Sequence, residues 1–80
     1  MKKGDKIKFR ADYIMNSGII ISTRSVGVVV SFKVMSDSPI IEEELVAHFE
    51  TNGIVFPVVK YFSRDFTPES LFEVVSINYQ

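Results

Sequence analysis

The chain has no cysteine and no tryptophan, one histidine, three prolines and four glycines in 80 residues. Without cysteine there is no disulfide and no thiolate metal site, so the fold must hold on packing alone. A lone histidine, His48, has no second histidine and no thiol with which to form a metal centre. The longest apolar runs, such as Ile54 to Val59, fall far short of the roughly 18 residues of a membrane-spanning helix. No glycine-rich phosphate loop occurs. These absences exclude the commonest site chemistries and lead to the expectation of a protein with no metal, no cofactor and no enzymatic activity of its own.

What is present is apolar and β-branched. Hydrophobic residues make up 46 %, with seven Phe and three Tyr. A chain of this length buries only roughly 60 to 65 % of the surface it exposes when unfolded; the margin is thin, but the apolar residues suffice for a core without staples. The start Met1-Lys2-Lys3-Gly4-Asp5 turns polar at once instead of leading into an apolar signal stretch. That start, with the lack of cysteine, gives the expectation of a cytoplasmic protein with no membrane association.

Five short runs carry the strand signal: Lys6 to Arg10, Val26 to Met35, Glu43 to Phe49, Ile54 to Phe62 and Leu71 to Ile77. In the first, apolar and basic residues alternate, with Ile7 and Phe9 inward and Lys6, Lys8 and Arg10 outward. The second places Val26, Val28, Val30, Phe32 and Val34 on one face, and Gly27 within it suggests a bend or bulge. Ile41 to Glu50 is open to both helix and strand, because Glu, Leu and Ala favour helices. Asn52-Gly53 followed by Ile54-Val55-Phe56 favours a hairpin, and hence a strand. Pro57 marks an edge strand or a bulge. Asp12 to Ser25 reads as a long, partly extended loop, with a turn at Asn16-Ser17-Gly18 and room for a short strand at Ile19-Ile20-Ile21. Thr67-Pro68-Glu69-Ser70-Leu71 reads as one helical turn, with Thr67 as cap and Pro68 at the first helical position; the final strand follows from Phe72 to Ile77. The fold class expected is all-β: a single domain spanning residues 1–80, a small barrel of about five strands with one short helical turn before the last.

The order of these elements resembles an SH3-like barrel. The resemblance is carried by Lys3-Gly4-Asp5-Lys6-Ile7-Lys8, Val26-Gly27-Val28-Val29, Phe56-Pro57-Val58-Val59-Lys60-Tyr61-Phe62 and Pro68-Glu69-Ser70-Leu71-Phe72-Glu73-Val74-Val75. The succession is similar to that of the small barrel protein of photosystem I, the variable chain of ferredoxin-thioredoxin reductase, the nitrile hydratase β-subunit barrel and the type II dihydrofolate reductases. The acidic segment Ile40 to Glu50 is an insertion relative to the photosystem barrel, and the Val-Gln-Ile-Tyr active-site stretch of the type II reductases is absent. The resemblance therefore implies a fold and no catalytic function.

Charge is divided along the chain. From Met1 to Lys33 seven basic residues face two acidic ones, a net +5; from Val34 to Gln80 two basic residues face eight acidic ones, a net -6. If the fold keeps the two sets apart, the domain has a basic and an acidic pole. The row Lys6, Lys8 and Arg10, with Tyr13 as a stacking platform, could track a nucleic-acid backbone. Against this stands the sequence pI of 5.7, well below the value of about 9 common in nucleic-acid-binding domains. Glu42-Glu43-Glu44 reads as a solvated acidic edge, because consecutive strand side chains point to opposite faces and cannot converge on one cation. The long strands are apolar on both alternation sets, and a single small barrel faces only one set inward; the other is either left exposed as an interaction surface or covered by the loops Asp12 to Ser25 and Ser63 to Ser70. The function expected is that of a protein-binding module, an adaptor, accessory subunit or regulator. Tyr61, Phe62, Val75, Ile77 and Tyr79 would be its apolar anchors, and Glu42, Glu43 and Glu44 would steer the encounter. A homo-oligomer is a further possibility.

Overall fold

The computed structural model describes residues 1–37 and 39–75. Among these residues, seven strands and one helical turn follow in the order β1 (Lys6–Phe9), β2 (Tyr13–Ile14), β3 (Ile20–Ile21), β4 (Gly27–Val34), β5 (Glu43–Thr51), β6 (Ile54–Phe62), α1 (Pro68–Leu71) and β7 (Phe72–Val74). The ambiguous acidic segment is thus a nine-residue strand. Five strands form an antiparallel sheet in the order β6-β5-β4-β1-β7, and β2 pairs with β3 in a separate hairpin. The protein is a small all-β fold, and among the described residues one helical turn stands directly before β7.

Local chemistry explains the connections. Thr51 pairs with Ile54 across a two-residue loop, and Asn52 and Gly53 both take positive φ, 53° and 80°. Such a loop matches the twist of the flanking strands, and Asn followed by Gly is the pair that adopts it most readily. At α1, Pro68 occupies the first turn, where a missing N–H costs nothing. Thr67 is extended and its side chain does not cap the helix. Its carbonyl instead accepts from the Ser70 N–H at 3.1 Å and the Ser70 hydroxyl at 2.6 Å.

The core lies on one face of the five-stranded sheet. Ile7, Phe9, Val29, Leu45, Ala47, Phe49, Val58, Phe62 and Phe72 point inward from the sheet, Ile21 enters from the hairpin, and all are buried. Tyr13, Met15 and Leu71 pack against them, so the β2–β3 hairpin and α1 cover this inner face. The rings form a connected stack: Phe9 lies 4.6 Å from Tyr13, 4.9 Å from Phe49 and 4.7 Å from Phe72 by centroid. Aromatic pairs of this kind contribute about 0.5–1.5 kcal/mol beyond their burial. The described residues include no buried charged or polar residue, as a core without staples requires.

Three expectations need correction. The irregularity in β4 lies at Val30: Val29 pairs with Ala47 and Ser31 with Val46, leaving Val30 as the extra residue. Gly27 has a different task, because the Phe49 ring occupies the space a Cβ would fill. The bulge also reverses the alternation. Val26, Val28 and Val30 stay on the outer face, whereas Phe32, paired with Leu45, joins the core side; the five do not share one face. Finally, the charge sets are interleaved, not separated into poles. The basic strands β1 and β4 occupy the middle of the sheet, with acidic β5 on one side and β7 on the other. Lys8 stands opposite Glu73, and Lys33 bridges Glu44 at 3.4 Å.

Candidate functional site: the outer face of the sheet

Because strand side chains alternate, burying one set commits the other to the opposite face. On β6, Val58 and Phe62 are buried, so Val55, Pro57, Val59 and Tyr61 are turned outward and exposed. On β5 the outward set is Glu44, Val46, His48 and Glu50; on β4 and just before it, the set is Val26, Val28, Val30 and Lys33. Cross-strand register assembles these into rows. Val28, His48 and Pro57 form one, Ser31, Val46 and Val59 the next, and Lys33, Glu44 and Tyr61 a third.

The result is two apolar ridges, on β4 and β6, either side of β5. Between them a groove of about 340 Å³ is lined by Val26, Val28, Val30, His48, Phe49, Glu50 and Val55. Val59 and Tyr61 are each 47 % exposed and Val55 55 %. His48, the only histidine, faces solvent from the groove's floor, as alternation from Ala47 and Phe49 predicts. At one end Glu44 stands beside the Tyr61 hydroxyl. The carboxylate accepts its hydrogen bond and its charge opposes ionisation, with burial a minor contribution, so the phenol's pKa is raised above the ordinary tyrosine value. Lys33 acts weakly in the other direction.

Of the anchor residues expected from sequence, Tyr61 belongs to this face. Phe62 does not: it is 1 % exposed, edge-on to the core ring of Phe72 and tilted against Phe66, because adjacent residues on one strand cannot share a face. Val75 is half-buried beyond the end of β7 and donates its N–H to the Lys6 carbonyl at 2.7 Å. Ile77 and Tyr79 lie outside the described residues. Glu42, Glu43 and Glu44 are not one edge. Glu44 is outward and bridged to Lys33, Glu43 pairs with Phe62 and Val34 on the inner side, and Glu42 precedes the strand, its N–H donating to the Phe62 carbonyl.

The basic row fares less well as a nucleic-acid track. Lys6 is exposed on the outer face, but Lys8 stands opposite Glu73, and the Arg10 Nε donates to the Glu69 carbonyl at 2.7 Å. Tyr13 is no open stacking platform: its ring lies 3° from parallel with Phe9, and the Lys60 ammonium sits over it at 5.0 Å. Among the described residues no group of acidic, histidine or cysteine side chains is arranged to hold a metal ion, and no helix is long and apolar enough to cross a membrane.

The valines of β4 and the groove they line with His48 and Val55 do not stand out as a site in the sequence. The alternating run signals that one set will be left over, but which set depends on the bulge and on the ring of Phe49. No protein-family profile, curated protein or solved structure matches the chain.

Proposed function

We propose that this protein is a small, non-enzymatic, SH3-like β-barrel module that docks on a protein through the outer face of β4, β5 and β6. It would act as an accessory subunit or regulator, and as a cytoplasmic protein. The reading is carried by one observation: two ridges of exposed apolar side chains, Val26 and Val28 on one and Val55, Val59 and Tyr61 on the other, flank β5 on a face turned away from the hairpin and helix that cover the core. Patches of this kind, rimmed by polar groups, mark interaction surfaces. The strand order, with β1 between β7 and the β4–β5–β6 meander, also supports the SH3-like reading.

Photo-crosslinking from position 59 in cells tests it. A discrete protein adduct is expected from position 59 and not from position 16 in the hairpin turn, and Val28→Lys should abolish it. Equal labelling from both positions would overturn the reading. The alternative, a nucleic-acid-binding barrel using Lys6, Lys8, Arg10 and Tyr13, has less support because three of the four groups face partners within the fold. Retention on single-stranded DNA or RNA at low salt, lost on replacing Lys6 and Lys8, would revive it.

A further inference from the structure

We infer that the occupant of the outer face is a second copy of this chain, packed sheet to sheet. The inference rests on the docking reading and names the partner. Charge is the first argument. Among the described residues, the outward charged side chains of the sheet are Lys6, Lys8 and Lys33 against Glu44, Glu50 and Glu73, three of each sign around an apolar centre. A two-fold interface brings one surface patch against itself, so a patch of a single sign repels its own copy. A balanced patch can set each charge against its opposite. The chain's net charge of -1 adds little long-range repulsion.

The second argument concerns the competing geometry, pairing through sheet edges. Among the described residues the sheet ends at β6 and β7. β7 spans three residues, and β6 carries Pro57 near its middle, which removes a ladder donor. Neither edge offers an uninterrupted template of useful length, whereas the face is continuous across β4, β5 and β6.

Size is the third. At about 4.8 Å between strands and 3.3 Å per residue, the 26 residues of β4, β5 and β6 present roughly 400 Å² in projection. Pairing two copies buries roughly 800 Å², the size of a weak, transient interface and below the standard range. The dimer is therefore reversible and concentration-dependent, formed by a protomer that folds alone around its own aromatic core.

Sedimentation equilibrium on the full chain, from about 1 µM to 1 mM, should follow a monomer–dimer isotherm. Val28→Glu and Val59→Glu should each weaken the dimer at least about tenfold, since each would bury a carboxylate among valines. Far-UV circular dichroism should stay unchanged. Ile14→Glu, on the exposed side of the hairpin, should leave the dimer intact. A photo-crosslinker at position 59 of the purified chain should give an adduct of twice the mass, and this readout holds even if a glutamate variant fails to fold. A strict monomer at 1 mM, or a dimer indifferent to both glutamates and joined elsewhere, overturns the inference. A strict monomer whose position 59 still captures a different protein in cells rejects self-pairing and leaves the docking reading standing; no adduct of either kind rejects both.

Discussion

The ring of Phe49 lies against the backbone of Gly27, so close that a Cβ there would come within 2.6 Å of the ring carbons Cε2 and Cζ. The two residues face each other across the β4–β5 ladder. The glycine is what allows a phenylalanine to fill the centre of the core at that row.

Gly27→Ala should therefore destabilise the fold by about 1–3 kcal/mol, the usual cost of overpacking. Phe49→Leu should recover part of that loss in the double variant. Urea unfolding of the two single variants and the double gives the coupling. Strict additivity would show that the ring moves aside without cost.

Phe9 touches Tyr13, Phe49 and Phe72 at once. Phe9→Ala should cost about 3–5 kcal/mol, a large part of the total stability of a domain this small. The expected outcome is loss of near-ultraviolet dichroism and a lowered urea midpoint, whereas Tyr61→Ala on the outer face should change the midpoint little.

The β5–β6 turn depends on Gly53 at φ 80° with open space around it. Gly53→Ala meets no clash but must enter the left-handed region, at about 1–2 kcal/mol. In a domain of this size that corresponds to a fall of roughly 4–16 °C in Tm, measured by thermal scanning.

Tyr61 should titrate above the ordinary tyrosine value of about 10, because Glu44 holds its proton. Ultraviolet difference titration should show the raised midpoint, and Glu44→Gln should bring it back down. The folded group binds its proton more tightly than the unfolded one. Its stabilisation is therefore complete below the unfolded pKa and disappears as pH rises through the folded value. The Glu44→Gln variant should lose less stability than the wild type over that alkaline window.

Much of this architecture is legible in residue order. The β5–β6 hairpin follows from Asn52-Gly53, the helical turn from Pro68, and the edge position of β6 from Pro57, because each is a local constraint on backbone torsion or hydrogen bonding. The hairpin of β2 and β3 is visible only in part: Ile19-Ile20-Ile21 signals a strand, but its partner Tyr13–Ile14 has only two residues. The site is harder to read. Tyr61 is within reach because alternation is local, whereas grouping it with its neighbour Phe62 as one patch ignores that same alternation. Separate charge poles fail for a longer-range reason, since only strand order reveals that basic β1 lies between β4 and acidic β7.

That strand order has a consequence for biosynthesis. β1 pairs with β7, setting Phe9 opposite Phe72, so one side of β1 stays unpaired until more than sixty further residues have been made. The β4–β5–β6 meander joins neighbours in sequence and can assemble during translation. The aromatic stack is complete only once Phe72 has been added, and until then Phe9 lacks one of its three ring neighbours and β1 lacks its partner on one side.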